Sequence, residues 1–482
     1  MSTFHIVTFG CQANEADSER MAGAFVAAGY QPATCPEEAD VILLNTCSIR
    51  EKAEQKVYSL LGRYQGLKRE RPGLKIGLTG CLGQLEGAEL KRRFPGLDLV
   101  VGTGQMLKVP GLLQERPLIP LTLRPTEPMP TYVGTPPPLR QSRVSAFVNI
   151  MEGCNYFCTF CVVPYTRGRE RSRPVADVLA EIEDLLCKGY GEVTLLGQTV
   201  NAYGKTLRPR TTFAALLRQI DALAGGTLRI RFTSPHPREV TPDLYSAVAE
   251  CQGVCEHVHL PVQSGSDRVL ERMRRLYTRA QYLEVVRRFR EAVPDVALST
   301  DLIVGFPGET EEDHRETLDL LREVGYDSLF AFCYSPRPHT PAGEYPDQLQ
   351  EPVKRQRLAE IFSLQAAIAL EKNRARIGRV EEVLVELGPR EKEGSLASGR
   401  TRQNKWVHFP VDRLEIGARV SAEIIEAYSY YLKGKYHPGP ISISPQKDRD
   451  FRHQNDGKLL KTLDNEKSNT YHPRREPNSH DL

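Results

Sequence analysis

Three short apolar runs near the start of this 482-residue chain each close on a cysteine: FHIVTFGC at Cys11, DVILLNTC at Cys47 and LKIGLTGC at Cys81. Stretches of helical period, residues 15–28 and 49–68, separate them. Strand-length apolar runs that alternate with amphipathic helices leave few options, because strands buried on both faces need helical crossovers to cover them. The segment from Phe4 to about Gln105 therefore reads as a βαβα unit with a parallel sheet. In such sheets the ligand crevice lies at the carboxyl ends of the strands. All three cysteines are expected on that one edge.

The same reading divides the rest of the chain. Nine prolines between Pro110 and Pro138 mark a stiff linker. Beyond it, six strand candidates (146–150, 192–198, 228–234, 257–263, 297–306 and 328–335) alternate with helical patterns. Six units fall short of the eight of a closed barrel, so a partial (β/α) barrel is expected. From about Lys372 short β-type runs such as RVEEVLVEL and KWVHFP take over, which predicts a small all-β barrel ending near Ser444. The polar, mixed-charge stretch after it cannot build a core and reads as a disordered tail. The expected α/β architecture is an N-terminal domain (1–109), a linker (110–142), a partial barrel (143–371), a β-barrel (372–445) and a tail (446–482).

Composition narrows the function classes. With 40% apolar and 26% charged residues the chain is globular, not fibrous or disordered. No window approaches ~18 uninterrupted apolar residues and no leader pattern opens the chain, so a cytoplasmic protein without a membrane span is expected. A net charge of +3 makes any basic surface local. Eleven cysteines, an odd number, in a reducing compartment point to metal ligation more than to disulfides.

The sharpest chemical signal is GCNYFCTFC, where Cys154, Cys158 and Cys161 follow the first barrel strand in C-x3-C-x2-C spacing. Three thiolates on one loop can hold three irons of a 4Fe–4S cluster and leave the fourth iron open. A structural zinc site is the alternative, but it needs a fourth ligand and none stands nearby. Cys11, Cys47 and Cys81 carry no local motif; convergence at strand ends argues for a second three-thiolate cluster, against three small buried hydrophobes.

The C-x3-C-x-aromatic-C loop resembles the signature of radical S-adenosylmethionine enzymes. Blocks from FGCQANEADSERM through NTCSIREKAEQKV, TGCLGQ, LLGQTVNAYG, RFTSPHP, HLPVQSGSDRVL, STDLIVGFPGETEED and SGRTRQNK extend the resemblance to methylthiotransferases over nearly the whole chain. SIREKAEQKVYSLLG after Cys47 resembles the branch that thiomethylates N6-(dimethylallyl)adenosine, also called isopentenyladenosine, beside the tRNA anticodon. Sister branches act on threonylcarbamoyladenosine or on a ribosomal-protein aspartate. The resemblance implies two 4Fe–4S clusters, S-adenosylmethionine as cofactor, and a 5′-deoxyadenosyl radical that removes an unactivated hydrogen. It also places Phe160 near the adenine of S-adenosylmethionine and Gly197, Gln198, Gln263 and Gly305 at cofactor-facing strand ends. No catalytic residue beyond the six cluster ligands is implied. The implied partners are the tRNA anticodon stem-loop, an electron donor such as a flavodoxin-type protein and a sulfur source, with the chain acting as a monomer.

RNA-binding candidates are Arg167, Arg169, Arg171 and Arg173 after the cluster loop, and Arg400, Arg402, Lys405 and Trp406 in the C-terminal barrel, which resembles a TRAM module. Of the remaining cysteines, Cys35, Cys187, Cys251, Cys255 and Cys333, the sequence reads Cys187, Cys251 and Cys255 as packing residues. His236 and His259 are candidates for polar contacts in the barrel mouth. A rival from another class is a non-catalytic RNA-binding protein whose loops are folded by zinc or a structural cluster.

Overall fold

The computed structural model describes residues 1–47, 51–114, 135–389 and 396–437. Strands Thr3–Phe9, Val41–Thr46 and Lys75–Gly80 are the inner members of a parallel sheet edged by Gln31–Pro32 and Leu99–Val100. Every residue of VILLNT is buried, as a central parallel strand covered on both faces requires. Phe9 pairs with Thr46 and Thr46 with Gly80, so the three strands end side by side. Helices Gln12–Ala27, Glu51–Glu70 and Cys81–Arg93 follow them.

The central domain holds six parallel strands in two three-stranded sheets. Ser145–Asn149, Glu192–Leu196 and Arg229–Phe232 form one; His257–His259, Ala297–Val304 and Ser328–Cys333 form the other. All six overlap the expected strand segments. One large core, including Val148, Leu195, Ile230, Val258 and Leu302, fills the space between strands and helices. Helix ends follow local chemistry: Glu311–Val324 starts at a capping box between Thr310 and Asp313 and stops at Gly325 in the left-handed region (φ +58°).

Five strands between Val380 and His437 close into the C-terminal barrel around Val383, Val407, Phe409 and Leu432. Its entry differs from the sequence reading. Residues 372–374 are the basic last turn of helix Glu351–Arg374, and the first strand begins at Val380. Most of the proline-rich linker and the whole of 446–482 lie outside the described residues. The linker's far end is packed: the Leu139 N–H donates to Glu19, and Arg140 pairs with Glu19 (2.9 Å) and Glu181 (2.6 Å). Gly23 makes room for this passage, since a Cβ there would stand 2.0 Å from the Pro137 carbonyl oxygen.

The C-terminal barrel is seated on the feet of the central strands. Glu192, Arg229, Glu256 and Asp327 stand at or just before four strand starts, and each bonds to the small barrel. Arg400 reaches Glu192 (2.7 Å), Arg402 reaches Glu256 (2.7 Å) and Lys405 reaches Asp327 (2.8 Å). Arg229, fully buried, reaches Glu382 (2.7 Å) and the Arg400 carbonyl (2.6 Å).

Candidate iron–sulfur active site

The loop that carries Cys154, Cys158 and Cys161 leaves the top of strand Ser145–Asn149 and is clasped at its base. Met151–Glu152 pairs antiparallel with Arg171–Ser172, and the Cys154 N–H donates to the Gly168 carbonyl (3.1 Å). Gly153 sits at φ +79° with the Arg169 carbonyl oxygen 2.2 Å from where a Cβ would be, so only glycine fits the clasp. Gln198 accepts a hydrogen bond from the Gly153 N–H (2.6 Å), and the Thr199 hydroxyl lies 3.4 Å from the Cys154 sulfur. Burial pushes the Cys154 and Cys161 thiols up, and the neighbouring sulfurs push Cys161 further. Three thiols that crowd one another in this way are a donor set for a cation-rich group.

The cofactor positions expected from the family resemblance share this end of the barrel. Phe160 packs against Val269, Met273, Phe306, Tyr334 and Ala342. Gly197 abuts Met151, where a Cβ would meet Cγ at 2.5 Å. Gln263 takes φ +75° opposite Leu302, and Gly305 takes φ +68° with the Lys354 side chain against it.

Cys11, Cys47 and Cys81 follow three adjacent strand ends, each on its own loop or helix start. The Cys11 thiol is lowered to about 6, first by its hydrogen bond with Cys47 and also by the Arg167 charge; burial raises Cys81. Asn14 anchors this edge by accepting from the Cys11 N–H (3.3 Å) and Sγ (3.4 Å), while Asn45 donates to the Asn14 carbonyl (2.8 Å). Arg167, only 4% exposed, joins the two cysteine sets. It leaves the radical-type loop six residues after Cys161 and pairs with Asp17 of helix Gln12–Ala27 at 2.6 Å. The Thr166 side chain and the Arg167 charge act against burial on the Cys81 thiol. Among the described residues no three Cys, His, Asp or Glu side chains stand as a single metal ion would need.

Three family models match separate parts of the chain. Residues 3–102 match the uncharacterized protein family UPF0004, residues 148–321 the radical SAM superfamily and residues 374–436 the TRAM domain. The fold resembles the radical S-adenosylmethionine methyltransferase TsrM of Kitasatospora setae, with a TM-score of 0.52 at 17% identity over 71% of this chain and 77% of that one. Two tRNA-2-methylthio-N(6)-dimethylallyladenosine synthases are far closer in sequence. That of Clostridium botulinum strain Hall is 47% identical over 90% of this chain and 96% of its own length, and that of Moorella thermoacetica 46% identical over 91% and 99%. The chain belongs to this synthase family.

Within the synthase family frame, most basic residues read from sequence as RNA contacts are engaged inside the chain. Arg167 is buried on Asp17. Arg171 pairs with Glu152 (3.4 Å), and Arg173, 1% exposed, with Glu181 (2.7 Å). Arg400, Arg402 and Lys405 form the seam with the central barrel. These six are engaged in ion pairs within the chain: Arg167, Arg173 and Lys405 are buried, while Arg171, Arg400 and Arg402 keep part of their side chains exposed. Arg169 alone of the loop arginines is exposed, and it stacks over Phe157 at 4.3 Å. Trp406 is half-buried, with Arg400 6.0 Å from its ring.

Cys187 is a correction to the sequence reading. It is exposed at the end of helix Val175–Cys187, because the apolar face of that helix runs through Val178, Ile182 and Leu185 instead. Cys251 and Cys255 are buried as expected. His259 binds Ser299 (3.0 Å) and Asp301 (3.3 Å). Sequence reading missed Arg275, which donates to the Cys158 sulfur (3.4 Å), the Tyr277 hydroxyl (3.0 Å) and the Pro261 carbonyl (3.2 Å). No local signal marks it, since it lies 117 residues from Cys158.

Proposed function

We propose that this chain inserts sulfur and a methyl group at C2 of N6-(dimethylallyl)adenosine beside the tRNA anticodon. In this reading Cys154, Cys158 and Cys161 hold one 4Fe–4S cluster with an open iron for S-adenosylmethionine, and Cys11, Cys47 and Cys81 hold a second. The observation that carries it is the pair of cysteine triplets, one at the strand ends of each domain, tied together by Arg167 and Asp17. Membership of the synthase family supplies the substrate.

The C2 hydrogen of adenine is neither acidic nor next to a leaving group, so side-chain acid–base chemistry does not remove it; the bound cluster and cofactor supply the one-electron chemistry required. The chain's own residues position and shield. Gln198 and Thr199 hold the start of the loop, and Arg275 holds the buried Cys158. Phe160, Gly197, Gln263 and Gly305 form the cofactor side of the mouth. Arg169 is the loop cation left for the RNA backbone. A flavodoxin-type electron donor, a sulfur source and a cytoplasmic, monomeric enzyme complete the reading. Among the described residues no helix is long and apolar enough to cross a membrane.

Mass spectrometry of tRNA nucleosides from a deletion strain tests the proposal. The methylthio group should vanish from N6-(dimethylallyl)adenosine and return with the intact gene. Its loss from threonylcarbamoyladenosine or a ribosomal-protein aspartate instead would assign the chain to a sister activity.

A further inference from the structure

His236 follows strand Arg229–Phe232 and is fixed from both sides of its backbone. Its N–H donates to Asn201 Oδ1 (2.8 Å) and its carbonyl accepts from Asn201 Nδ2 (2.9 Å). The ring lies flat on Tyr156, 3.8 Å between centroids and 8° between planes, and edge-on to Tyr277 at 5.6 Å. Tyr156 sits between Cys154 and Cys158, and Tyr277 carries Arg275 against the Cys158 sulfur. The imidazole is therefore packed by two aromatic residues that shape the cysteine loop.

The two ring nitrogens differ in their partners. Nδ1 accepts from the Arg238 N–H at 3.3 Å, so in the neutral ring the proton is on Nε2. Burial, with the charges of Arg275, Arg238 and Lys205, holds the imidazole neutral by lowering it to about 2. Nε2 is buried, in a side chain 6% exposed, and has no hydrogen-bond partner among the described residues. Buried donors are almost always matched, and one kept rigid beside a ligand site is matched by the ligand.

We propose that His236 is a cofactor-binding residue whose Nε2–H donates to an acceptor atom of S-adenosylmethionine seated at the cysteine loop. The acceptor has to lie inside the barrel mouth, next to Tyr156, where the ligand of the open iron would sit. A base of the RNA enters from outside and meets the exposed rim first. This proposal rests on the radical S-adenosylmethionine reading and adds a residue to it.

The test titrates S-adenosylmethionine into the anaerobically reconstituted full chain and follows the change in the EPR spectrum of the reduced cluster, with iron and sulfide measured on every sample. A wild-type chain whose spectrum ignores S-adenosylmethionine would sink the underlying reading. With wild-type binding in place, His236→Phe should keep its iron and bind about tenfold more weakly, and His236→Gln, which keeps a donor, should recover most of that loss. Wild-type affinity in His236→Phe, or equal weakness in the Phe and Gln variants, overturns the proposal. If His236→Phe loses iron, His236→Gln and His236→Met, similar in length, decide: tighter binding by Gln supports the donor role and equal binding overturns it.

Discussion

Lys405 of the C-terminal barrel reaches Asp327 at the foot of the last central strand, 2.8 Å from ammonium to carboxylate, with both side chains under 10% exposed. Lys372 approaches the same carboxylate from the long helix at 2.7 Å. One buried acid thus ties three segments, and its neighbours Glu192 and Glu256 repeat the arrangement with Arg400 and Arg402.

These contacts make the seam a determinant of stability. Asp327→Ala strands the buried Lys405 ammonium and takes the carboxylate from the partly exposed Lys372, and should cost about 3–5 kcal/mol, read as a lowered midpoint in urea unfolding. Lys405→Met, which leaves Asp327 its Lys372 partner, should cost less.

The same residues should be silent in the salt dependence of RNA binding. For folded Arg402→Gln or Lys405→Met chains, the slope of log affinity for tRNA against log salt should match the wild type. A phosphate contact would instead remove close to one unit of slope per residue. Arg169→Gln, in contrast, should flatten it. Truncation after residue 371 is a poor substitute for this measurement, because it strips cover from Arg229 and Glu192, both 0% exposed.

Glu192 sets an acid limit. Burial opposes its charge, but Arg231, Arg400 and Arg229 outweigh burial and hold the carboxyl at about 2 against an ordinary 4.5. A group depressed on folding stabilises above its unfolded value and loses that contribution as pH falls to its folded one. About 3 kcal/mol should therefore drain away between about pH 4.5 and 2. Glu192→Gln should be destabilised at pH 7 and show a shallower stability loss across that window.

Gly153→Ala tests the clasp of the cysteine loop. A methyl group 2.2 Å from a carbonyl oxygen at φ +79° forces the loop open. Iron per chain should fall as far as in the variant with alanine at Cys154, Cys158 and Cys161, to about half if both triplets hold clusters. Alanine at Cys11, Cys47 and Cys81 should give the other half and leave reductive cleavage of S-adenosylmethionine intact. Full iron in that second variant would remove the N-terminal cluster.

What the sequence discloses is what is written locally. Runs such as DVILLNTC announce a buried strand and its end within eight residues, and GCNYFCTFC shows three thiols on one loop without any fold. Partners across the fold are not written this way. Arg167 meets Asp17 across 150 positions, and Arg400 meets Glu192 across 208. Alternating arginines on a strand look alike whether a phosphate or a neighbouring domain's carboxylate waits opposite. Asn14, which accepts from Cys11, and Arg275, which donates to Cys158, were hidden for the same reason, whereas His236 was legible as a polar contact of the barrel mouth but its partners were not.

The seam, at the feet of four central strands, and the loop of Cys154, Cys158 and Cys161, at the top of Ser145–Asn149, occupy opposite ends of the central barrel. Strands of up to eight residues, Ala297–Val304 the longest, separate the two ends by up to about 26 Å at ~3.3 Å per residue. An RNA that touches the small barrel while offering a base to the cysteines must lie along the flank of the molecule and cover that whole distance. The central barrel then works as a ruler: a short oligonucleotide carrying the right base satisfies one end only, and a folded RNA arm of sufficient reach satisfies both.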